Sequence, residues 1–509
     1  MESSNLPSDD DMPGRRLRLE VAILHSVDAH RERAIALLRE LIQTPSPSGA
    51  EGSADDPASL VGKLAAAVAT HGTDVTVQPV APGSANVIER LGDEGRLFVI
   101  EAHTDVVPEG DPGRWFGGDP RSGADGVVEY LGDRRIRLTS GGASEEASIR
   151  DRMDRTWQHR EERERSILLG RGAFDNKGSV ATAALAMAAL AEAMRETGSA
   201  LGGTVVAAYT TDEEVGAAGV HALADGPRSW LAEQGLLDRP SGEDGLLEGA
   251  WGVALEGSYG WSPVIAHRGV LHLRLRTEGA AAHASTPHLG VNATLQMARA
   301  LLALDDEGLR EELTAPLETG LLGPPTLALG TTIAGGGVRR VELLATGPEI
   351  ERGGVNVVPS WCEATIDIRF PPARTGGDAA AAEHLLTTLR DRLDARLDPA
   401  LGTWSLDLLR GVGPSVAVAP SWEEAARHPL VRLARERARQ VLGYEPDLET
   451  APGGTDATVL VHRARIPTLV ELGPGGGRSH DANEFVEVEG IVEGAKVLAL
   501  LAVDLLGLR

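Results

Sequence analysis

Apolar residues recur along most of the chain, either at helical spacing or in short continuous runs. Residues 17–42 carry apolar side chains three or four positions apart, which predicts a helix that ends at the proline-rich turn 44–49. The runs 97–102 and 203–209 are typical of buried strands, and the alanine-rich segment 179–195 between them predicts a helix. Because strands alternate with helices, we predict an α/β domain with a largely parallel sheet.

The pattern changes between residues 264 and 420. Its predicted elements are, in order, a strand, a helix, two strands, a helix and a strand: 269–277, 292–304, 327–334, 355–368, 378–397 and 404–409. This β-α-β-β-α-β order is the split βαβ, or ferredoxin-like, pattern. Since the α/β pattern returns after residue 421, we predict a second, α+β domain inserted into the first.

Two further segments depart from the α/β pattern. Residues 1–16 are polar and acidic and are predicted to be a disordered tail. Residues 119–166 combine Asp-Gly turns with a charge-dense run at 145–165, which predicts a surface insertion exposed to solvent. The α/β domain is therefore expected to consist of residues 17–263 and 421–509.

Composition narrows the function classes. The chain has 75 acidic and 49 basic residues and a net charge of −26, which argues against a partner such as nucleic acid or an anionic membrane. A single cysteine, Cys362, excludes an intrachain disulfide and a multi-cysteine metal site. No apolar stretch is long enough for a membrane span, and the N-terminus lacks the apolar core of a signal peptide. A cytoplasmic protein is expected, and a metal site in it would use His, Asp and Glu.

Five short segments place metal-type ligands at strand ends or in glycine-rich loops. They are Ala102-His103-Thr104-Asp105, Gly172-Ala173-Phe174-Asp175, Thr211-Asp212-Glu213-Glu214, Ala254-Leu255-Glu256 and Gly477-Arg478-Ser479-His480. Ligands of open α/β sheets bind outside the carboxyl ends of the strands. Each segment alone also fits an ordinary turn or helix cap. Together, their imidazoles and carboxylates match divalent ions such as Zn²⁺, Mn²⁺ or Co²⁺.

The spacing within these segments indicates that their residues have different roles. His103 and Asp105 are two residues apart and point to one side of an extended chain, so the carboxylate could orient the imidazole. Asp175 has two oxygens and could bridge two cations. The three consecutive carboxylates 212–214 repel one another unless cations are present. One of them could bind metal while a neighbour faces a water molecule.

Eight motifs occur in one order between His103 and Val486. They are HTDVVPEGD, GRGAFDNKG, TDEEVG, the glutamate of ALEG, HASTPHLGVNA, NVVPSWCEATIDIR, GGTDA and GPGGGRSHDANEFV. With these motifs the chain resembles the di-zinc aminoacylase and carboxypeptidase family, which includes acetylornithine deacetylase, succinyl-diaminopimelate desuccinylase, glutamate carboxypeptidase and related dipeptidases. The resemblance implies a zinc-peptidase-like α/β catalytic domain, with the inserted domain as a lid or dimerisation domain.

The resemblance also implies a role for each motif residue in the α/β domain. Two divalent ions, zinc or alternatively cobalt or manganese, would be held by five residues: His103, Asp175, Glu214, Glu256 and His480. One ion would lie between His103, Asp175 and Glu256. The other would lie between Asp175, Glu214 and His480, so that Asp175 bridges both. Glu213 would be the general base, and Asp105 would support His103.

For the inserted domain, the resemblance implies a homodimer formed through the lid. His283 would reach the active site of the neighbouring subunit and stabilise the oxyanion there. Five residues would bind the carboxylate of the substrate: Asn356, Arg369, Gly453, Gly454 and Thr455. The segment 119–166 makes the interval between Asp105 and Asp175 longer than is usual in the family.

The implied activity is hydrolysis of an amide bond in a small substrate with a free carboxylate. A water bridging the two ions would attack, with Glu213 as general base. The substrate would be an N-acyl amino acid or a short peptide. Two alternatives stay open: a dipeptidase or carboxypeptidase in place of an N-acyl-amino-acid deacylase, and a non-catalytic binding protein on the same scaffold. Retention of the base and of every ligand argues against the second.

Overall fold

The computed structural model describes residues 12–334, 338–344, 347–352 and 356–509. The chain divides into two compact units. The first contains the described residues up to Ile265, together with Trp422–Glu449 and Thr455–Arg509. The second contains Ala266–Ser421 and Thr450–Gly454. The segment predicted as an inserted domain, 264–420, falls almost wholly in the second unit.

The described strands are, in chain order, β1 (Asp74–Ala81), β2 (Ser84–Leu91), β3 (Arg96–His103), β4 (Ala124–Gly132), β5 (Arg135–Ser140), β6 (Ala143–Ser148), β7 (Glu164–Leu169), β8 (Gly203–Thr210), β9 (Ala250–Ala254), β10 (Val264–His267), β11 (Gly269–Glu278), β12 (Thr326–Ala334), β13 (Val338–Leu344), β14 (Gly347–Arg352), β15 (Trp361–Phe370), β16 (Thr403–Leu408), β17 (Val416–Ala417), β18 (Glu449–Ala451), β19 (Thr468–Leu469), β20 (Gly476–Gly477) and β21 (Phe485–Glu487).

The described α-helices are α1 (Met12–Gln43), α2 (Leu60–Val68), α3 (Asp151–His159), α4 (Gly178–Thr197), α5 (Ala218–Ala224), α6 (Trp230–Glu233), α7 (Ala293–Leu304), α8 (Glu307–Thr314), α9 (Thr319–Leu322), α10 (Gly377–Arg396), α11 (Trp422–Arg427), α12 (Pro429–Leu442), α13 (Ala457–His462) and α14 (Val488–Leu506). Among these described helices, none combines the length and the hydropathy that a membrane span requires.

The first helix begins earlier than predicted. Helix α1 starts at Met12, so residues 12–16 of the predicted tail are helical, while residues 1–11 lie outside the described residues. Arg16 explains part of the difference, because its guanidinium pairs with Glu20 one turn later at 2.9 Å and also contacts Asp504 of α14. These pairs attach the first turn of the helix to the folded unit.

The main sheet of the first unit has the strand order β1-β2-β8-β3-β9-β19. Strands β8, β3, β9 and β19 run parallel to one another, whereas β2 pairs antiparallel with both β8 and β1. Every residue of β8 is buried, as expected for a parallel strand covered on both faces. Helices α1, α4 and α14 pack together beside this sheet. The predicted α/β domain with a largely parallel sheet is confirmed.

The second unit contains an antiparallel sheet with the order β12-β15-β11-β16. Helices α7 and α10 cover one face of it and bury leucines against β11 and β15. The predicted β-α-β-β-α-β order is confirmed. Strand β15 begins at Trp361, six residues after the predicted start at 355, which itself lies outside the described residues. A hairpin of β13 and β14, and the short helices α8 and α9, were not predicted.

The segment 119–166 is not the surface insertion that its charges predict. Its strands β4 to β7 join β20 and β21 in a six-stranded sheet with the order β20-β21-β7-β4-β5-β6. Alternate residues of these strands, such as Val128 and Leu138, are fully buried in a cluster that also contains Trp157 and Phe485. The charge density misled the prediction because several of these charges pair with distant carboxylates of the same unit, as Arg160 does with Glu487 at 2.8 Å.

Trp157→Ala is expected to destabilise the first unit by about 3–5 kcal/mol, the usual cost of removing a fully buried tryptophan. Trp157 stacks on Tyr130 with ring centroids 5.7 Å apart. Chemical denaturation followed by circular dichroism would measure the change. Val127→Ala, on the same strand β4 as Tyr130 and 41% exposed, is the control and should change stability little. Equal stability of the two variants would contradict the buried position of this segment.

Candidate active site

The five predicted ligands lie at the end of a strand, or in loops that follow strands or precede a helix of the first unit. His103 is the last residue of β3, Glu214 lies in the turn after β8, and Glu256 follows β9. These three strands are parallel neighbours, so their carboxyl ends meet at one edge of the sheet. Asp175 comes just before α4, and His480 lies in the loop between β20 and β21. The Asp175–Asn176 peptide bond is cis.

The structure brings these five side chains together in two groups of three. Nε2 of His103 lies 3.1 Å from Oδ1 of Asp175 and 3.4 Å from Oε1 of Glu256. Nε2 of His480 lies 3.2 Å from Oδ2 of Asp175 and 3.2 Å from Oε1 of Glu214. In each group the ligand atoms lie within 4.8 Å of one another. Asp175 belongs to both groups and offers a different oxygen to each.

The electrostatics of these groups fit divalent cations. Burial raises the pKa of Glu256 well above its ordinary value, with His103 opposing the rise and Asp175 adding to it. Burial also disfavours the charged form of Asp175, but hydrogen bonds from His103 and His480 outweigh it and lower its pKa. Hydrogen bonds to Asp175 and Glu214 raise the pKa of His480 to about 10. Two cations would stabilise this concentration of carboxylates, and the nitrogen and oxygen donors suit Zn²⁺, Co²⁺ or Mn²⁺.

Asp105 connects two of the ligand segments. Nδ1 of His103 lies 3.2 Å from the backbone oxygen of Asp105 and 3.4 Å from Oδ1 of the same residue. Its carboxylate also accepts hydrogen bonds from the backbone N–H groups of Glu213 and Glu214, at 3.0 and 3.1 Å, and from the Ser48 hydroxyl at 2.5 Å. The buried carboxylate therefore fixes the His103 ring and the turn after β8 relative to each other.

Glu213 differs from its neighbour Glu214 in having no fixed partner. Within the residues that the structure describes, its carboxylate makes no hydrogen bond or ion pair, whereas that of Glu214 contacts His480. Burial raises the pKa of Glu213 well above its ordinary value, and among its charged neighbours His103 lowers the pKa while Asp456 raises it. An unpaired carboxylate with a raised pKa, close to the ligand groups, is suited to accept and return a proton.

Two supporting glutamates were not predicted. Glu484 accepts hydrogen bonds from the backbone N–H groups of Phe174 and Asp175, at 3.0 and 2.9 Å, and pairs with Arg171 at 2.5 Å. It therefore holds the Asp175 loop, and its place in the motif GPGGGRSHDANEFV was the available signal. Glu101 is buried in β3, where it accepts a hydrogen bond from Thr210 at 2.5 Å, and burial raises its pKa to about 8. The sequence signal for Glu101 was its position as a charged residue within the apolar run 97–102.

The three predicted site residues of the lid domain, His283, Asn356 and Arg369, lie at two ends of the second unit's sheet. His283 and Asn356 are close together, because Ala284 N–H donates to the backbone oxygen of Asn356 at 2.8 Å. At the other end, Arg369 pairs with Val270 in the ladder. Its guanidinium donates from Nε and Nη2 to the two oxygens of the Asp367 carboxylate, at 2.8 and 2.9 Å.

The predicted loop 453–455 divides between the two units, with Gly453 and Gly454 in the second and Thr455 in the first. A Cβ added at Gly454 would lie 3.8 Å from Cε1 of His267, which precedes β11. Gly454 therefore lies at the same end of the second unit as Arg369. The Thr455 hydroxyl donates to the backbone oxygen of Val470 at 2.9 Å.

Comparison with known proteins agrees with the fold and the motifs. The model of peptidase family M20/M25/M40 matches residues 151–504. Succinyl-diaminopimelate desuccinylase from a Methylobacterium species is 30% identical over 466 residues, which cover 89% of this chain and 91% of the relative. A tripeptidase structure from Staphylococcus aureus is 18% identical, with a TM-score of 0.60, and covers 93% of this chain and 98% of its own. A dinuclear metal-binding M20 peptidase from Bacillus subtilis is 15% identical, with a TM-score of 0.52, and the match covers 94% of this chain and 99% of the other.

These matches confirm the resemblance that the motifs indicated, and they confirm the class of reaction. The family model covers more than half of the chain, and the desuccinylase relative aligns with nearly all of it. The protein is a hydrolase that acts on amide or peptide C–N bonds. The chain belongs to peptidase family M20/M25/M40.

Proposed function

We propose that this protein is a two-metal hydrolase that removes the acyl group from an N-acyl amino acid with a free carboxylate. The observation that carries the proposal is the position of Asp175. Its two oxygens lie 3.1 and 3.2 Å from two separate imidazoles, His103 and His480, and Glu256 and Glu214 complete the two groups. This arrangement suits a carboxylate that bridges two ions, and we propose that both are zinc, with cobalt or manganese as alternatives.

The residues of the chain have complementary parts in this reaction. When bound, two such ions would polarise the amide carbonyl and make a water molecule more acidic. Glu213, whose carboxylate is outside both ligand groups, takes the proton from the attacking water and returns it to the leaving amine. Asp105 keeps the His103 imidazole in the tautomer that presents Nε2 to the ligand group.

Arg369 is our proposed contact for the carboxylate of the substrate. Two of its donor nitrogens, Nε and Nη2, bind Asp367, so the remaining Nη1 can donate to a second carboxylate. Gly453, Gly454 and Thr455 would add backbone and hydroxyl donors. The names of two similar proteins, a desuccinylase and a tripeptidase, also support a small substrate.

We also propose a homodimer through the lid domain, in which His283 and Asn356 serve the active site of the neighbouring subunit. Arg369 pairs with Val270, whereas Glu278, at the other end of β11, precedes the His283 loop. Val270 and Glu278 are eight residues apart, so at about 3.3 Å per residue they are roughly 26 Å apart, but a dipeptide spans only about 7 Å. One small substrate therefore cannot contact both ends of the same lid.

An exposed apolar surface supports the same homodimer. Leu289, Leu295 and Leu302, on or just before helix α7, are 70%, 58% and 74% exposed. Leu295 and Leu302 are seven residues apart, so they lie on one face of the helix. A second copy of the lid that covered this face would remove these leucines from water.

His283→Ala is expected to lower kcat by about 10²–10³-fold and to leave the metal content unchanged, because loss of one oxyanion donor costs this much. The His283 ring is exposed, and its Nδ1 contacts the Ser285 hydroxyl at 2.7 Å. His288→Ala, another exposed lid histidine, is the control. Mixing His283→Ala with Glu213→Gln should restore partial activity once subunits exchange. Proven exchange without any recovery would defeat the shared site.

A substrate panel tests the proposed function directly. N-acetyl and N-succinyl amino acids and dipeptides would be offered with zinc, manganese or cobalt, and again after chelation. We expect deacylation that requires metal and a free substrate carboxylate. Exclusive cleavage of dipeptides would favour the peptidase alternative, for which the tripeptidase neighbour is the specific support. Activity that survives complete metal removal would reject the proposal.

A further inference from the structure

The two imidazoles of the candidate metal centre differ in how they are held. His103 has Asp105 against its second nitrogen, and its side chain is almost fully buried. The His480 side chain is 55% exposed, and within the described residues its Nδ1 has no hydrogen-bond partner. Metal-binding histidines usually need such a partner to fix the ring. The position of the His480 ring must therefore depend on the backbone of its loop.

The backbone of that loop is unfavourable by itself. Arg478, His480 and Asn483 have φ angles of 64°, 63° and 58°, in the left-handed region that residues with a Cβ seldom adopt, although Asn and His enter it more often than Arg. Residues keep such conformations only where the surrounding structure holds them. Contacts to the residues on both sides of His480 would therefore stabilise this loop.

Glu145 of strand β6 supplies contacts on both sides. Its Oε1 accepts a hydrogen bond from Nη1 of Arg478 at 3.0 Å, and its Oε2 accepts one from Nδ2 of Asn483 at 2.8 Å. Asn483 is held from a second direction, because its Oδ1 accepts from the backbone N–H of Phe116 at 2.7 Å. One carboxylate thus spans the residues that flank His480.

Glu145 lies on the edge strand β6 with its side chain 38% exposed, and its backbone is attached to the core of the first unit through the ladder. It pairs in the β5–β6 ladder with Leu138, which is fully buried. Leu138 belongs to the same buried cluster as Phe485, the residue with which the His480 loop returns to the sheet. Glu145 therefore occupies a fixed position relative to the loop, within the segment 119–166 that lengthens this chain between its first two ligands.

We propose that Glu145 is a positioning residue for the His480 ligand, and that the segment 119–166 thereby tunes one of the two metal sites. This inference rests on the proposed function, because it assumes that His480 binds an ion. The contacts of Glu145 fix Arg478 and Asn483, and these residues fix the loop backbone from which the His480 ring reaches Asp175 and Glu214. The His103 site has no such dependence.

Single-site variants allow a direct test. Glu256→Ala removes a ligand from the His103 site, so zinc should bind mainly at the His480 site. Glu214→Ala removes a ligand from the His480 site, so zinc should bind mainly at the His103 site. Adding Glu145→Ala to the first background should weaken zinc binding about 10–100-fold, the usual cost of losing a group that orients a ligand. Adding Glu145→Ala to the Glu214→Ala background should change the zinc affinity less than about twofold, because Glu145 orients no ligand of the His103 site. Equilibrium dialysis with zinc alone would measure both affinities without any substrate.

Two further variants separate positioning from general damage to the fold. Glu146→Ala, the next residue on β6, removes an exposed pair with Arg137 and should leave both affinities unchanged. Glu145→Gln keeps one acceptor oxygen and should give an intermediate zinc affinity. Equal weakening of both sites, or unchanged binding at the His480 site, would overturn the positioning role alone. A wild-type protein that binds fewer than two zinc ions would instead overturn the metal centre of the proposed function.

Discussion

Glu213→Gln is expected to lower kcat by about 10²–10⁴-fold while the protein keeps both metal ions, the loss typical for removal of a general base. The amide has nearly the shape of the carboxylate but cannot accept the proton. Metal content should stay unchanged because Glu213 is outside both ligand groups. Its backbone N–H, which donates to Asp105, is also unaffected. Steady-state kinetics and elemental analysis of the same preparation would measure both quantities.

Asp212→Asn is the matched control for this variant. Asp212 is the preceding carboxylate of the same turn, and its Oδ2 accepts a hydrogen bond from Ala218 N–H at 3.4 Å, which an asparagine oxygen can retain. The change from acid to amide is the same, so any general effect of lost charge would appear in both variants. Near-normal turnover in Glu213→Gln would remove Glu213 from the role of base. Loss of metal from this variant would make it a ligand.

Much of the fold could be predicted because its strands are nearly continuous apolar runs. The runs 97–102 and 203–209 correspond to β3 and β8, which lie side by side in the main sheet. The carboxyl ends of such strands meet at one edge, so ligand-type residues just after them predict a shared centre. The structure brings all five predicted ligands together, while their roles stay predictions.

The segment 119–166 could not be predicted because its charges have distant partners. Arg160 pairs with Glu487 at 2.8 Å, and Arg165 pairs with Glu493 at 2.9 Å. A local sequence pattern shows the density of charge but does not show that its partners are the buried Glu487 at the end of β21 and the partly buried Glu493 of helix α14. A charged run with interspersed Tyr and Trp can therefore be part of a core, and the buried Trp157 was the residue to weigh.

The supporting contacts of the site were harder to predict because many of them involve the backbone. Lys177 belongs to the motif GRGAFDNKG and lies two residues after Asp175. Its Nζ donates to the backbone oxygens of Leu41 and Thr44, at 2.8 and 2.9 Å, and burial lowers its pKa to about 7. Backbone acceptors carry no residue-specific signal, so a motif identifies the lysine without identifying its partner.

Asp175→Ala is expected to abolish binding of both metal ions and to reduce activity to the background rate. One side chain contributes a different oxygen to each ligand group, so its loss removes a ligand from two sites at once. The affinity should fall at both sites by more than the roughly 10–100-fold that loss of a supporting residue costs. Elemental analysis after dialysis against limiting zinc would count the ions per chain.

Single-group ligands provide the controls for this variant. Glu256→Ala and Glu214→Ala each remove a ligand from one group, so each is expected to retain one ion where the wild type retains two and Asp175→Ala none. If the metal-free forms of the wild type and of all three variants melt at the same temperature, loss of the fold cannot explain these differences in the number of bound ions. Retention of one ion by Asp175→Ala would assign this carboxylate to a single site, and retention of two would show that it is not a ligand.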